Sequence, residues 1–127
     1  MQGIETKTTG ILHRMGVPAN ILGYHYLRDA LLLTLESGEK ALSVTKHVYP
    51  TVAKKNATTA IRVERAIRHA IEVAWNRGDT DYHDEVFGYT IDPERGKPTN
   101  SEFINMVVDR MRLEINEGAD MLCVTNS

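Results

Sequence analysis

The spacing of its apolar residues limits most strictly what this chain can fold into. In "ILGYHYLRDALLLTLES", Ile21, Tyr24, Leu27, Leu31 and Leu35 recur at steps of three and four. That spacing lays one stripe along a helix, whereas a strand needs a period of two. Phe103, Val107, Met111 and Ile115 repeat the pattern near the far end. No stretch alternates convincingly between apolar and polar residues, and there is no internal repeat.

Glycine and proline punctuate the helical segments. A first helix is expected over Thr8 to Met15, stopped by Gly16 and Pro18. Asn20 is expected to cap the second, which Gly23 weakens and Gly38 ends. "KALSVTKHV" gives a third, closed at Tyr49-Pro50, and Pro50 opens a short fourth, "PTVAKKN". A longer helix covers 59–77 and stops at Gly78, and Asp79 to Phe87 forms a shorter one. "YTIDPERGKP" reads as a loop, and Thr99 caps "NSEFINMVVDRMRLEINE". Thr99 and Glu102 have capping-box spacing, so each side chain can satisfy a backbone N–H at the other. The tail after Gly118 shows no clear pattern. The expectation is an all-α, six-to-seven-helix compact domain, single over residues 1–127.

Several function classes find no support. No apolar run approaches the ~18 residues of a membrane span, and "MQGIETKTTG" lacks the apolar core of a signal peptide. The lone Cys123 permits no internal disulfide, suits a reducing cytoplasm and reads as a tail thiol. His13, His25, His47, His69 and His83 have no metal-ligand spacing, and no glycine-rich phosphate loop or nucleophile elbow is present. No enzymatic activity, metal or cofactor is expected.

Charge is distributed unevenly. The net charge is only -2, yet residues 54–77 carry Lys54, Lys55, Arg62, Arg65, Arg68 and Arg77 against Glu64 and Glu72. Residues 78–127 hold four Lys/Arg against eleven Asp/Glu. A short basic block in an acidic chain points to a localised anion-binding surface.

The block is amphipathic. At ~100° per residue with Arg62 at zero, Val73, Ala66, Ala70, Val63, Ala74, Ile67, Ala60 and Ile71 fill an arc from about 20° to 180°. Arg68, Glu72, Arg65, Asn76, His69 and Arg62 fill about 240° to 360°, with Ile61 among them near roughly 260°. An ordinary solvated helix mixes signs to gain i,i+4 pairs. Here only Arg68 has a carboxylate at that spacing, from Glu64 before it and Glu72 after it. Arginine offers a planar donor fork that suits phosphate and the O6/N7 edge of guanine. Ile61 is unfavourable in water there, but useful against a thymine methyl or a sugar.

The preceding residues have helix-turn-helix spacing. Val52-Ala53 lead to a turn at Asn56-Ala57-Thr58, and Val63 and Ala66 then face inward. Ala53 fills the slot where crossing helices leave room only for a small side chain. Asn56 is atypical, because that slot usually holds an apolar residue. Such a motif puts the N-terminal half of its second helix in the major groove. Thr58 or Thr59 can cap that helix near phosphate, Lys54 and Lys55 can reach the backbone, and His69 can touch phosphate. The alternative is an all-α protein-interaction module whose basic helix binds an acidic protein partner.

"YPTVAKK" and "RVERAIRHAIEVAWNRG" closely resemble the C-terminal effector domain of the master response regulators of sporulation initiation in endospore-forming bacteria. "GVPANILGYHYLRDA", "VFGYT" and "KPTNSEFINMVVDRMRLE" share the likeness, which covers about residues 8 to 114. The resemblance implies a six-helix domain with a helix-turn-helix that binds double-stranded DNA at TGTCGAA-like boxes, often in tandem. It implies base reading by Arg62, Glu64 and Arg65, with Arg68 on bases or phosphates. It also implies activation or repression of promoters and contact with an RNA polymerase sigma subunit. The matching stretch, 78–91, offers Gly78, Thr80, Tyr82, Asp84, Phe87 and Ile91, with Phe87 either an anchor or a core plug. The family's phosphorylatable receiver domain has no counterpart in these residues; the expectation is an excised effector domain, and the alternative is a protein that lacks its receiver. The "INEGADMLCVTNS" tail departs from the short basic end expected.

Overall fold

The computed structural model describes residues 2–38 and 42–126, apart from the side chains at positions 2, 89 and 117–126. Among the described residues there is no strand, and six α-helices carry the fold: α1 (Gln2–Met15), α2 (Leu22–Glu36), α3 (Tyr49–Lys55), α4 (Ala60–Arg77), α5 (Thr80–Phe87) and α6 (Asn100–Asn126). A π-helical turn, Val44–Val48, leads into α3, and a 3-10 turn, Gly88–Thr90, follows α5. α2 is the hub, packed against α1, α3, α4 and α6. Its Leu27, Ala30 and Leu31 are fully buried with Leu12 and Met15 of α1, Val63, Ile67 and Ala70 of α4, and Phe103, Ile104 and Val107 of α6.

Helix ends depart from expectation where tertiary contacts outweigh local signals. α1 starts at Gln2 rather than Thr8. Its first turns are tied down by Ile4, which packs on the core, and by Lys7, whose Nζ pairs with Glu114 at 3.1 Å. α2 is capped at Ile21, with no side-chain hydrogen bond, rather than at Asn20. Of the expected third helix, 40–48, positions 40 and 41 lie outside the described residues, and Val44–Val48 form the π-helical turn, where Ser43 Oγ accepts from the Lys46 N–H. Val48 is itself helical, so the chain runs on into α3 with Pro50 in the first turn, where no N–H is needed. α6 continues through Gly118 to Asn126 instead of stopping; the Cys123 side chain lies outside the described residues. The capping box forms as expected: Thr99 N donates to Glu102 Oε1 at 2.8 Å, and Glu102 N to Thr99 Oγ1 at 3.2 Å.

Gly23, which looked like a helix weakness, is a close-approach residue. A methyl there would run into the Ala66 carbonyl oxygen and lie 2.8 Å from the Ala70 Cβ. Its missing side chain and the alanines of α4 let the two helix backbones touch. This crossing sets the depth at which α4 sits against the hub.

Candidate nucleic-acid interface

α4 begins with Thr59 as N-cap, its hydroxyl accepting from the Arg62 N–H at 3.2 Å. Val63, Ile67, Ala70, Ile71 and Ala74 are buried against α2, α3 and α6. Ile61, Arg62, Arg65, Arg68, His69 and Asn76 are exposed, and Glu64 and Glu72 are half-buried at the margin. The Arg62 and Arg65 guanidinium groups have no carboxylate partner among the described residues, whereas Arg68 Nη1 meets Glu64 Oε1 at 3.3 Å. Two of the three guanidinium forks are therefore held toward solvent and left available to an anion.

The turn at 56–59 fixes how α4 stands on α3. Thr58 N donates to the Ala53 carbonyl at 2.9 Å, and Ala53 is buried at the crossing. Asn56, odd as a turn residue by sequence, explains itself here. Its Nδ2 donates to Asp29 Oδ2 of α2 at 3.0 Å and to the Val52 carbonyl at 2.8 Å. Asp29 also receives Lys55 Nζ at 3.2 Å. Lys55 is thus shared with a carboxylate, while Lys54 is exposed and unpaired among the described residues. Asp29 was not a sequence candidate: an acid on α2, 27 positions from Asn56, carries no local signal of the turn it buttresses.

Ala57 has φ 53°, a left-handed conformation that costs a side-chain-bearing residue ~1–2 kcal/mol. It is exposed, so nothing is lost by removing its methyl. Ala57→Gly is expected to stabilise the domain by about 0.5–1 kcal/mol, read as a higher urea midpoint at unchanged m.

Asn100, at the start of α6, also escaped the sequence reading. Its Nδ2 donates to the Tyr49 hydroxyl at 2.9 Å and to the Glu64 carbonyl at 3.1 Å, linking α6 to α3 and α4. Burial pushes the Tyr49 phenol above its usual pKa, with the Asn100 hydrogen bond working the other way, so Tyr49 stays neutral.

The far end of α4 is closed by aromatic packing. Trp75 stacks on His83 at 3.9 Å and meets Phe87 edge-on at 5.3 Å and Phe103 at 6.1 Å. His83 Nε2 lies 2.8 Å from the Met15 carbonyl oxygen. This packing encloses two of the expected partner-contact residues. Phe87 and Tyr82 are each only 2% exposed, so neither can anchor a partner from the surface. The Arg14 guanidinium further covers the Tyr82 ring at 3.9 Å. Gly78 is half-buried, and a methyl there would strike the Met15 carbonyl. Of that set, Thr80 and Asp84 are exposed and Ile91 is half-buried. No group of three or more metal-ligating side chains occurs among the described residues, and no described helix is long and apolar enough to cross a membrane.

A short helix that buttresses a longer one across a turn, leaving the longer helix's cationic face in solvent, is how helix-turn-helix domains enter a major groove. The fold and this surface place the chain in that class of DNA-binding regulators. Within the class its membership is specific: residues 8–111 match the family model for the sporulation initiation factor Spo0A C terminal, and the chain belongs to that family. It is a DNA-binding domain of the sporulation-initiation transcription factor type.

Proposed function

We propose that the chain reads TGTCGAA-like boxes in double-stranded DNA, with α4 in the major groove, and so controls promoters at entry into sporulation. The observation that carries this reading is the pair of unpartnered guanidinium groups, Arg62 and Arg65, on the outward first turns of α4. Arg65 grips guanine O6/N7, and Arg62 and Glu64 serve neighbouring bases, Glu64 accepting from cytosine N4. The Glu64–Arg68 pair keeps that carboxylate oriented, and the Arg68 donors that Glu64 does not engage serve bases or phosphate. Lys54, His69 and the Thr58–Thr59 cap take backbone phosphates, and Lys55 joins them once it leaves Asp29.

Activation or repression follows from what α5 presents. Asp81, Asp84 and Glu85 are exposed on it, and α5 follows the C-terminal end of α4, ~27 Å from the reading end by helical rise. A basic surface of a sigma subunit can meet these acids while DNA is bound. Tandem boxes are filled by two copies side by side, in the cytoplasm.

A gel shift with a TGTCGAA duplex against a scrambled duplex tests the reading. Tighter binding to the box is expected, with log K falling with log salt at about -0.9 per phosphate contacted. Equal binding to both duplexes, or no salt dependence, would favour a protein partner instead. Lys54→Ala is expected to weaken both duplexes alike and to reduce the slope by about 0.9.

A further inference from the structure

Ile61 lies in the first turn of α4 and is 64% exposed. Large exposed apolar side chains are few among the described residues: Leu22, Ile61 and Leu113. Of these, Ile61 alone stands on α4, within the cationic face. On the helical wheel it falls at roughly 260°, between Arg68 near roughly 240° and Arg65 near roughly 300°. Arg62 sits at the margin of the same face. Ile61 is therefore the most central outward residue of the first turn, and Arg65 lies one turn further along the same line.

We infer that Ile61 is a specificity-determining residue that reads the C5-methyl group of a thymine. The inference rests on the DNA-reading role proposed above and goes beyond it. Isoleucine has no donor or acceptor. Against the major-groove edges of guanine, cytosine or adenine it would desolvate polar atoms and return no hydrogen bond. Thymine alone among the four bases offers an apolar group there. Sugars and phosphates form the groove walls, which the margins of a docked helix reach and its centre line does not. A β-branched side chain is also stiff in a helix, so Ile61 loses little freedom on contact.

The experiment replaces each thymine of the TGTCGAA duplex, on either strand, with deoxyuridine. This removes one methyl and leaves every hydrogen-bonding atom in place. Wild type is expected to lose about fourfold in affinity at one position, the worth of one buried apolar carbon. Ile61→Ser is expected to lose a similar factor on the unmodified box and to be indifferent to deoxyuridine at that position; Ile61→Val is expected to keep the sensitivity. Both variants should melt like wild type, because the site is exposed. A wild type that prefers the box yet ignores every deoxyuridine overturns the inference and leaves the DNA reading intact. Deoxyuridine sensitivity that survives in Ile61→Ser also overturns it. No preference for the box in wild type overturns the DNA reading itself, and the inference with it.

Discussion

Phe87→Ala is expected to destabilise the domain by about 3–5 kcal/mol, the usual cost of emptying a phenylalanine-sized core site. Phe87 is 2% exposed, and its ring meets Trp75 at 5.3 Å and Phe103 at 5.8 Å. The substitution therefore removes apolar burial and two aromatic contacts worth ~0.5–1.5 kcal/mol each beyond area. These contacts join α5 and α6 to the C-terminal end of α4, so little can collapse into the void without shifting a helix. Domains of this size hold only about 5–15 kcal/mol in total, and the melting temperature should fall by on the order of 10–20 °C. Thermal melting followed by circular dichroism checks this. An unchanged melt with selective loss of promoter activation would return Phe87 to the role of a surface anchor. Asp84→Ala, on the exposed face of α5, should move stability by no more than about 0.5 kcal/mol.

Arg65→Ala is the second large effect, and it acts on binding rather than folding. Arg65 is exposed and has no carboxylate partner among the described residues. Its removal leaves the core untouched and should leave the melt near that of wild type. A bidentate contact to guanine is worth ~1–3 kcal/mol of base discrimination, so affinity for the box should drop by roughly 5- to 150-fold. The scrambled duplex offers no guanine in register and should lose much less. Titrating both duplexes at one stated salt concentration separates the outcomes. An equal loss on both would make Arg65 a phosphate contact and shift base reading to its neighbours.

The contrast between these two residues shows where the sequence was legible. The amphipathic split of α4 is strong: small apolar residues fill one arc and arginines the other. Helical geometry then decides which side faces water. The Thr99–Glu102 capping box was equally readable, because it is closed within one turn. Phe87 was not decidable in the same way. In an eight-residue helix, a core plug and an exposed anchor share one pattern, and only the positions of Trp75 and Phe103 separate them. Gly23 and Asn56 were misjudged for the same reason. One looked like a helix weakness and the other an atypical residue for its slot, until the α4 backbone and Asp29 stood beside them. The extra turns of α1 and the extension of α6 past Gly118 lacked a local start or stop that propensity could reveal. Long-range contacts, such as Lys7 with Glu114, settle α1 instead.

The central claim is that the outward face of α4 enters the major groove of DNA, and methylation interference addresses it most directly. Methylating guanine at N7 blocks the major groove, whereas methylating adenine at N3 blocks the minor groove. With a duplex carrying the box, bound molecules are expected to be depleted of N7-methylated guanines inside the box, and Arg65→Ala should erase that depletion at one guanine. Interference confined to adenine N3, or spread evenly over box and flanks, would contradict the account.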